Sequence, residues 1–117
     1  MIKINYENIE EELNNPQGTP LKFDEFKDYY KKGNIPGQWI FKFENNYGAS
    51  VIKHFGSYGY EEDLFELAVL YWINDKEWTL SYNTPLTDDV IGHLTNEEVI
   101  ELLQQIKKLK GGVEDYE

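Results

Sequence analysis

Alternating apolar and polar residues dominate the middle of the chain, at positions 39–82. Successive side chains of a strand point to opposite faces, so a period of two predicts strands with one buried face. Trp39, Phe41 and Phe43 open the first predicted strand, and three more are predicted at 49–55, 64–73 and 77–83. Short turns join antiparallel neighbours. The segment 38–83 is therefore predicted to be a four-stranded antiparallel β-meander.

Residues 1–33, which precede this segment, are predicted to be helical because their apolar residues have helical spacing. Tyr6, Ile9 and Leu13 have the spacing of a short amphipathic helix. A second short helix is predicted to begin at Phe23, with Asp24 as its N-cap. Its expected buried stripe is Phe23, Phe26 and Tyr30, and Lys31-Lys32-Gly33 is expected to end it.

The C-terminal segment 87–110 is also predicted to be helical. A short helical stretch is expected at 88–94, and Thr95 with Glu98 matches the capping box that opens a helix. The long helix beyond it has one continuous apolar face, formed by Val99, Leu102, Leu103, Ile106 and Leu109. Residues 111–117 are expected to be a mobile acidic tail. The prediction is a single α+β domain over 1–117, with the helices packed on one face of the sheet.

Charge is the most unusual bulk property of the chain. Twenty-two acidic residues oppose 11 basic ones, which are all lysine, for a net charge of −11. Such a field repels nucleic acids and anionic membranes and attracts basic surfaces. The lack of arginine also removes the usual bidentate reader of phosphate and guanine. The chain is thus expected to bind neither nucleic acid nor membranes; the alternative role of the acidity is solubility alone.

Catalytic and metal-binding motifs are not recognisable. His54 and His93 have no second ligand at a recognised metal spacing, and cysteine is absent. The serines have no nucleophile-elbow context. The chain is therefore predicted to be non-enzymatic, without a cofactor or metal. It shows no signal-peptide pattern and no bilayer-length apolar run, which together with the lack of cysteine predicts a cytoplasmic protein.

Two features are candidates for partner binding. The first combines aromatic and acidic residues in the predicted loop after the second strand with a further acidic pair: Phe55, Tyr58, Tyr60, Glu61, Glu62, Asp63, Asp88 and Asp89. Exposed loop aromatics are common in binding surfaces. The alternative is that the aromatics fold back onto the core and that the carboxylates belong to ordinary solvated loops.

The second feature is the sheet face opposite the helices. If helices cover the face of Trp39, Phe41 and Phe65, four other apolar side chains point away from them: Ile40, Ile52, Leu70 and Trp72. A contiguous exposed apolar patch marks a partner or self-association site. This face predicts a possible homodimer.

Three stretches, 47–51, 64–70 and 84–95, resemble a family of small, uncharacterised acidic proteins encoded by phages and prophages of low-GC Gram-positive bacteria. The resemblance covers about 39–109 and assigns no catalytic residue. Small acidic phage proteins often inhibit host defence enzymes such as restriction enzymes and CRISPR nucleases. The resemblance therefore implies an anti-CRISPR or anti-restriction protein that binds a basic, nucleic-acid-binding host protein, plausibly a nuclease, by mimicking the charge of DNA. The alternative is a small dimeric binding or structural module of phage origin that uses the apolar sheet face.

Overall fold

The computed structural model describes residues 19–54, 56–81 and 90–110. Six strands form one sheet: β1 (Tyr30–Lys32), β2 (Gln38–Lys42), β3 (Tyr47–Ile52), β4 (Phe65–Trp72), β5 (Trp78–Leu80) and β6 (Ile91–Leu94). The other elements are the α-helix α1 (Asn96–Lys107) and two short 3₁₀ helices, Asp24–Tyr29 and Tyr60–Glu62. The predicted α+β class is confirmed. The prediction of four strands and three helices is wrong, because the described residues hold six strands and one α-helix.

All strand pairs in the sheet are antiparallel, in the order β1-β2-β3-β4-β5. The second edge of β4 is shared by two strands. β5 pairs with the stretch from Leu70 to Trp72, while β6 pairs with Phe65 and Leu67. The meander from β2 to β5 is present as predicted, and the two added strands extend it at β1 and along β4.

The predicted second helix is a 3₁₀ helix followed by a strand. Phe23, Phe26 and Tyr29 are three residues apart, and a 3₁₀ helix with three residues per turn places such residues on one face. Phe26 is buried among the rings of Phe41 and Phe43. Phe23 flanks the helix and makes no side-chain cap, and the predicted capping residue Asp24 is already in the first turn.

Tyr30 was expected in the buried helical stripe, and Lys31 and Lys32 in a last helical turn. Instead these three residues form β1 and pair with Phe41, Ile40 and Trp39. An extended conformation at Tyr30 stops the 3₁₀ helix and lets the chain follow the edge of β2. The prediction failed because pairing with an open sheet edge outweighed the weak local helical preference.

The predicted helical stretch at 88–94 is also wrong over its described part, because Ile91–Leu94 is β6. Leu94 lies opposite Phe65, and Ile91 lies opposite Leu67. β5 covers only the last part of β4, so the first part has backbone groups that need another partner. β6 supplies that partner and leads directly into α1.

α1 begins and ends as the capping and apolar patterns imply. The backbone of Glu98 donates to Thr95 Oγ1 at 3.1 Å, and the backbone of Thr95 donates to Glu98 Oε1 at 2.9 Å, which is the predicted capping box. Val99, Leu103 and Ile106 are fully buried in the main core. The predicted apolar face of the long helix is thus confirmed.

The Asn45 side chain closes the C-terminal end of α1. Its amide nitrogen donates to the carbonyl oxygens of Ile106, Lys107 and Leu109 at 2.9, 3.2 and 2.9 Å. Its oxygen accepts from the backbone of Tyr47 at 3.0 Å. One side chain in the β2–β3 turn therefore donates to three carbonyls at and just beyond the end of α1, where the helix itself supplies few donors.

Several predictions concern residues outside the described ranges. These are the first helix containing Tyr6, Ile9 and Leu13, the tail 111–117, and the partner-binding candidates Phe55, Asp88 and Asp89.

Candidate functional site

The loop between β3 and β4 holds most of the predicted partner-binding residues. A tight turn starts it, in which the backbone of Ser57 donates to the carbonyl of His54 at 2.9 Å. Gly59 follows with a φ of 90°, and its carbonyl accepts from both Glu62 and Leu64. A left-handed Asp63, with a φ of 62°, ends the short 3₁₀ helix. The loop is thus hydrogen-bonded within itself.

Close packing against β6 fixes the position of this loop. A Cβ on Gly59 would lie 3.0 Å from His93 Cα, and a Cβ on Gly92 would lie 2.7 Å from Tyr58 Cβ. Glycine is required at both positions because a side chain on Gly59 would meet the backbone of β6, and one on Gly92 would meet the side chain of Tyr58. The backbone of Tyr58 also donates to Glu66 Oε1 at 3.0 Å. β6 therefore forms one wall of the site.

A buried lysine anchors the far end of the loop. The Lys53 side chain is only 1% exposed, and its Nζ lies 2.6 Å from Asp63 Oδ1 and 2.7 Å from the carbonyl oxygen of Thr19. It also lies 3.9 Å from the centroid of the Phe65 ring. Burying a charge is costly unless it is paired and hydrogen-bonded. Lys53 meets both requirements, and it ties the loop to the segment that precedes the first 3₁₀ helix.

Asp63, which is predicted to contact a partner, also has a structural role in holding the loop. Its carboxylate accepts hydrogen bonds from Lys53 Nζ and from the backbone and hydroxyl of Thr19. The hydrogen bond from Lys53, followed by the one from the Thr19 backbone, lowers the pKa of Asp63 below its usual value of 3.8. These contacts hold the carboxylate in its charged form and leave fewer of its acceptor sites for a partner.

A surface cavity of about 350 Å³ lies between residues 56–62 and His93. Tyr58 is 66% exposed on it, and the Tyr60 ring is partly buried. Glu61 and Glu62 are exposed, and Glu62 Oε1 lies 3.8 Å from His93 Nε2. Among the described residues that line the cavity there is no lysine. Here the structure brings together four predicted residues, namely Tyr58, Tyr60, Glu61 and Glu62.

Charge is divided between the two ends of the sheet. The acidic end, where β4 and α1 begin, carries Glu61, Glu62, Asp63, Glu97 and Glu98. The lysine end, where β4 and α1 finish, carries five lysines and three acids: Lys42, Lys76, Lys107, Lys108 and Lys110 with Glu44, Asp75 and Glu77. Lys22 and Lys32 also lie toward the acidic end, but neither lines the cavity. A carboxylate excess at one end is therefore built into the fold.

The opposite sheet face has the predicted orientation but not the expected exposure. Ile40, Leu70 and Trp72 form a second apolar cluster and are 2%, 0% and 5% exposed, while Ile52 is partly buried. The Trp72 indole nitrogen donates to the carbonyl of Phe41 at 3.1 Å. Three of the four residues thus offer little surface for a second copy. Self-association through this face stays a prediction.

Within the described ranges, no three His, Asp or Glu residues are grouped as metal ligands. The described helices include none with the length and apolar character of a membrane span. The cavity offers carboxylates, tyrosines and one histidine in an open position, which suits binding of a cation.

Comparison of the chain with family models, curated proteins and solved structures found no match. The phage family suggested by the sequence therefore stays an expectation.

Sequence reasoning missed two members of this site. Lys53 falls in a predicted strand of mixed polarity, and no neighbouring residue in the sequence indicates that its charge is buried. His93 has no recognised metal-ligand spacing in the sequence, and it reaches the cavity because β6 folds beside the loop. Gly59 and Gly92 were the available sequence signal that the loop lies against β6, since an isolated glycine often marks a place where two parts of the chain approach closely.

Proposed function

We propose that the protein is a non-enzymatic inhibitor that uses its acidic end to bind a basic, nucleic-acid-binding protein. The observation that carries this proposal is the separation of charge between the two ends of the sheet. At the acidic end, Lys53 is buried and paired with Asp63, while Glu61 and Glu62 remain in solvent. A partner with a Lys- and Arg-lined groove would meet carboxylates there, as it meets phosphates in its nucleic acid.

The distance between the ends makes them electrostatically independent. α1 joins them with 12 residues, and a helix rises about 1.5 Å per residue, so the ends are roughly 18 Å apart. Charges in solvent are screened over about 8–10 Å at physiological ionic strength. The lysines at one end therefore do not cancel the field at the other. An approaching basic surface is steered to the acidic end.

The proposed setting is inhibition of a host defence nuclease by a phage-encoded protein in the host cytoplasm. Its support is the net charge of −11, the lack of arginine and the resemblance noted from the sequence. Asp88, Asp89 and the acids of 1–18 and 111–117 add to the net charge, although they lie outside the described residues. Displacement of nucleic acid from the partner is the proposed mode of inhibition.

A matched pair of charge variants tests the proposal. The partner is captured from a lysate of a low-GC Gram-positive bacterium and purified, and its affinity is measured with and without its DNA. The test variant carries Glu61→Gln, Glu62→Gln and Glu97→Gln. The control removes the same number of charges near the lysine end through Glu44→Gln, Asp75→Asn and Glu77→Gln.

We expect the test variant to bind about 10- to 100-fold more weakly. Exposed ion pairs contribute up to about 1 kcal/mol each, and three of them sum to roughly 1.5–3 kcal/mol. The control should stay within about twofold of the wild type. The affinity should also fall steeply between about 0.1 M and 1 M salt. A partner that binds its DNA and this protein at the same time would refute the proposal, as would an affinity that is flat across that salt range.

A further inference from the structure

We infer that the cavity between residues 56–62 and His93 receives an arginine side chain of the partner. This inference rests on the proposed function and assigns one subsite within the acidic end. The cavity measures about 350 Å³, and pockets that hold small organic groups measure about 300–1,000 Å³. It is therefore large enough for one guanidinium group with part of its aliphatic stem.

The chemistry of the lining favours a guanidinium group. Arginine is planar, carries five donors that match carboxylates in a bidentate manner, and stacks on aromatic rings. The cavity combines the exposed Tyr58 ring with the carboxylates of Glu61 and Glu62. A cation above an aromatic ring gains further attraction from the electron-rich face of the ring.

Other ligand classes fit the lining less well. An anion would be repelled by Glu61 and Glu62, and a purely apolar ligand would leave both carboxylates without a partner. A divalent metal needs several oxygen or nitrogen ligands at short range, and the described residues hold no group of three. A lysine brings a compact charge without the planar fork that pairs with a carboxylate and stacks on a ring.

The cavity is also held in shape before any ligand arrives. Lys53 ties Asp63 at one end of the loop, and the Tyr58 backbone is held by Glu66. Gly59 and Gly92 let the loop lie directly against β6. Binding to a preformed site costs less ordering entropy, so even one side chain can bind measurably.

The nearby basic residues leave the cavity open to a positive ligand. Lys53 is buried and committed to Asp63 and Thr19. His93 lies 3.8 Å from Glu62, at the outer limit of an ion pair, and half of its side chain is exposed to solvent. Glu61 has no ion pair with any described residue. An incoming arginine would therefore supply the positive charge that the lining residues do not.

The test titrates the full-length protein with Nα-acetyl-arginine amide and follows the backbone amide NMR signals. The matched control ligand is Nα-acetyl-citrulline amide, which has nearly the same shape and no charge. We expect saturable shifts in the millimolar range at residues 56–62 and at His93, caused by the arginine derivative alone. Equal shifts from the citrulline derivative, or shifts spread evenly over other acids, would overturn the inference.

Three variants locate the subsite. Glu61→Gln with Glu62→Gln should weaken binding of the arginine derivative at least about tenfold. Tyr58→Ala should weaken it about two- to fivefold, and Tyr58→Phe should restore most of that loss because the ring is kept. Glu44→Gln with Glu77→Gln, at the lysine end, should leave it unchanged. Unchanged binding in the Glu61 and Glu62 double variant would refute the subsite.

The two proposals can fail separately. If the arginine derivative binds in the cavity but the purified partner does not compete with its DNA, the subsite stands and the inhibitor function is refuted. If the partner competes with DNA and depends on the acidic end, yet the arginine derivative does not bind, the function stands and the subsite is refuted.

Discussion

The two ends of the sheet are closed by connections of very different kinds. At the lysine end the β2–β3 turn is short, and its polar side chain, Asn45, points inward to the end of α1. At the acidic end the β3–β4 connection is long, with Tyr58 and Glu61 in solvent. Each end has one polar anchor: the partly buried neutral amide of Asn45 at one end and the buried, charged Lys53 at the other. The charged anchor engages one carboxylate, Asp63, and leaves the neighbouring carboxylates to the surface.

The two ends differ in which residues are used to hold the fold together. The lysine end uses Asn45 of its turn to complete the end of the helix. The acidic end fixes its loop through Lys53, Asp63 and backbone contacts of Tyr58 and Gly59, and the side chains of Tyr58 and Glu61 take no part in that anchoring. The residues that hold the site and those expected to contact a partner are therefore different, and they can be changed separately.

The largest expected effect comes from weakening the packing of α1, the helix that joins both ends, against the main core. Leu103 is fully buried in the main core. Replacing a buried leucine by alanine costs about 2–5 kcal/mol, because transfer energy is lost and a cavity remains. Leu103→Ala should lower the free energy of unfolding by that amount in urea denaturation.

The neighbouring Gln104 provides the control for this substitution, because its side chain is exposed on α1. Gln104→Ala should change the free energy of unfolding by less than about 0.5 kcal/mol. Equal midpoints for Leu103→Ala and the wild type would show that the helix packs through another face.

The next largest effects are expected from removing the two anchors, Lys53 and Asn45. Lys53→Ala removes a buried ion pair and should cost about 1.5–3 kcal/mol, the range for hydrogen bonds to charged groups. Asn45→Ala removes a donor that serves three carbonyls at the end of α1 and should cost about 0.5–2 kcal/mol. Hydrogen exchange should also separate them. Lys53→Ala should speed exchange at the amides of Glu62 and Leu64, and Asn45→Ala at the amides of Lys108 and Leu109.

The two ends would not be independent if either substitution sped exchange equally at both. A double variant, Lys53→Ala with Asn45→Ala, provides a second check. Its loss of stability should equal the sum of the two single losses within about 0.5 kcal/mol, because the sites are far apart and share no partner.

Local signals in the sequence predicted part of this fold. The capping box at Thr95 and the apolar face of α1 depend on neighbours within one helix, so the sequence pattern contains all the information needed. The faces of β2 and β4 were predicted for the same reason, since alternation alone decides which side chains share a face. β1 and β6 were missed because each is a short strand that forms only against a sheet edge supplied by distant residues.

The sequence was sufficient to predict which residue types form the candidate site, but it was not sufficient to predict how they are arranged in space. The sequence marked Tyr58, Glu61 and Glu62 as an aromatic and acidic loop, and the structure places all three around one cavity. It could not distinguish Asp63 from its neighbours, because that difference depends on Lys53, ten residues away and buried. Burial of a charge is decided by tertiary packing, which has no local sequence pattern.

The smallest expected effect is the pH dependence of the anchor at the acidic end. The pKa of Asp63 is lowered in the folded protein, mainly by the hydrogen bond from Lys53. A carboxyl group with a lowered folded pKa stabilises the fold fully at pH values above its unfolded pKa, here about 3.8. That contribution is lost as the pH falls below 3.8 and through the folded pKa. Asp63→Asn removes it at every pH.

The difference in stability between the wild type and Asp63→Asn should therefore shrink on acidification. Urea midpoints of the two proteins, measured from about pH 7 to about pH 2.5, should differ most at the upper end and converge at the lower end. Asp75→Asn is the matched variant at the lysine end, where the carboxylate is 90% exposed and 3.6 Å from Lys42. It should change stability by less than about 0.5 kcal/mol, because solvent screens such a pair. If the gap between wild type and Asp63→Asn stayed constant down to the lowest pH, the charge on Asp63 would not be what holds the loop.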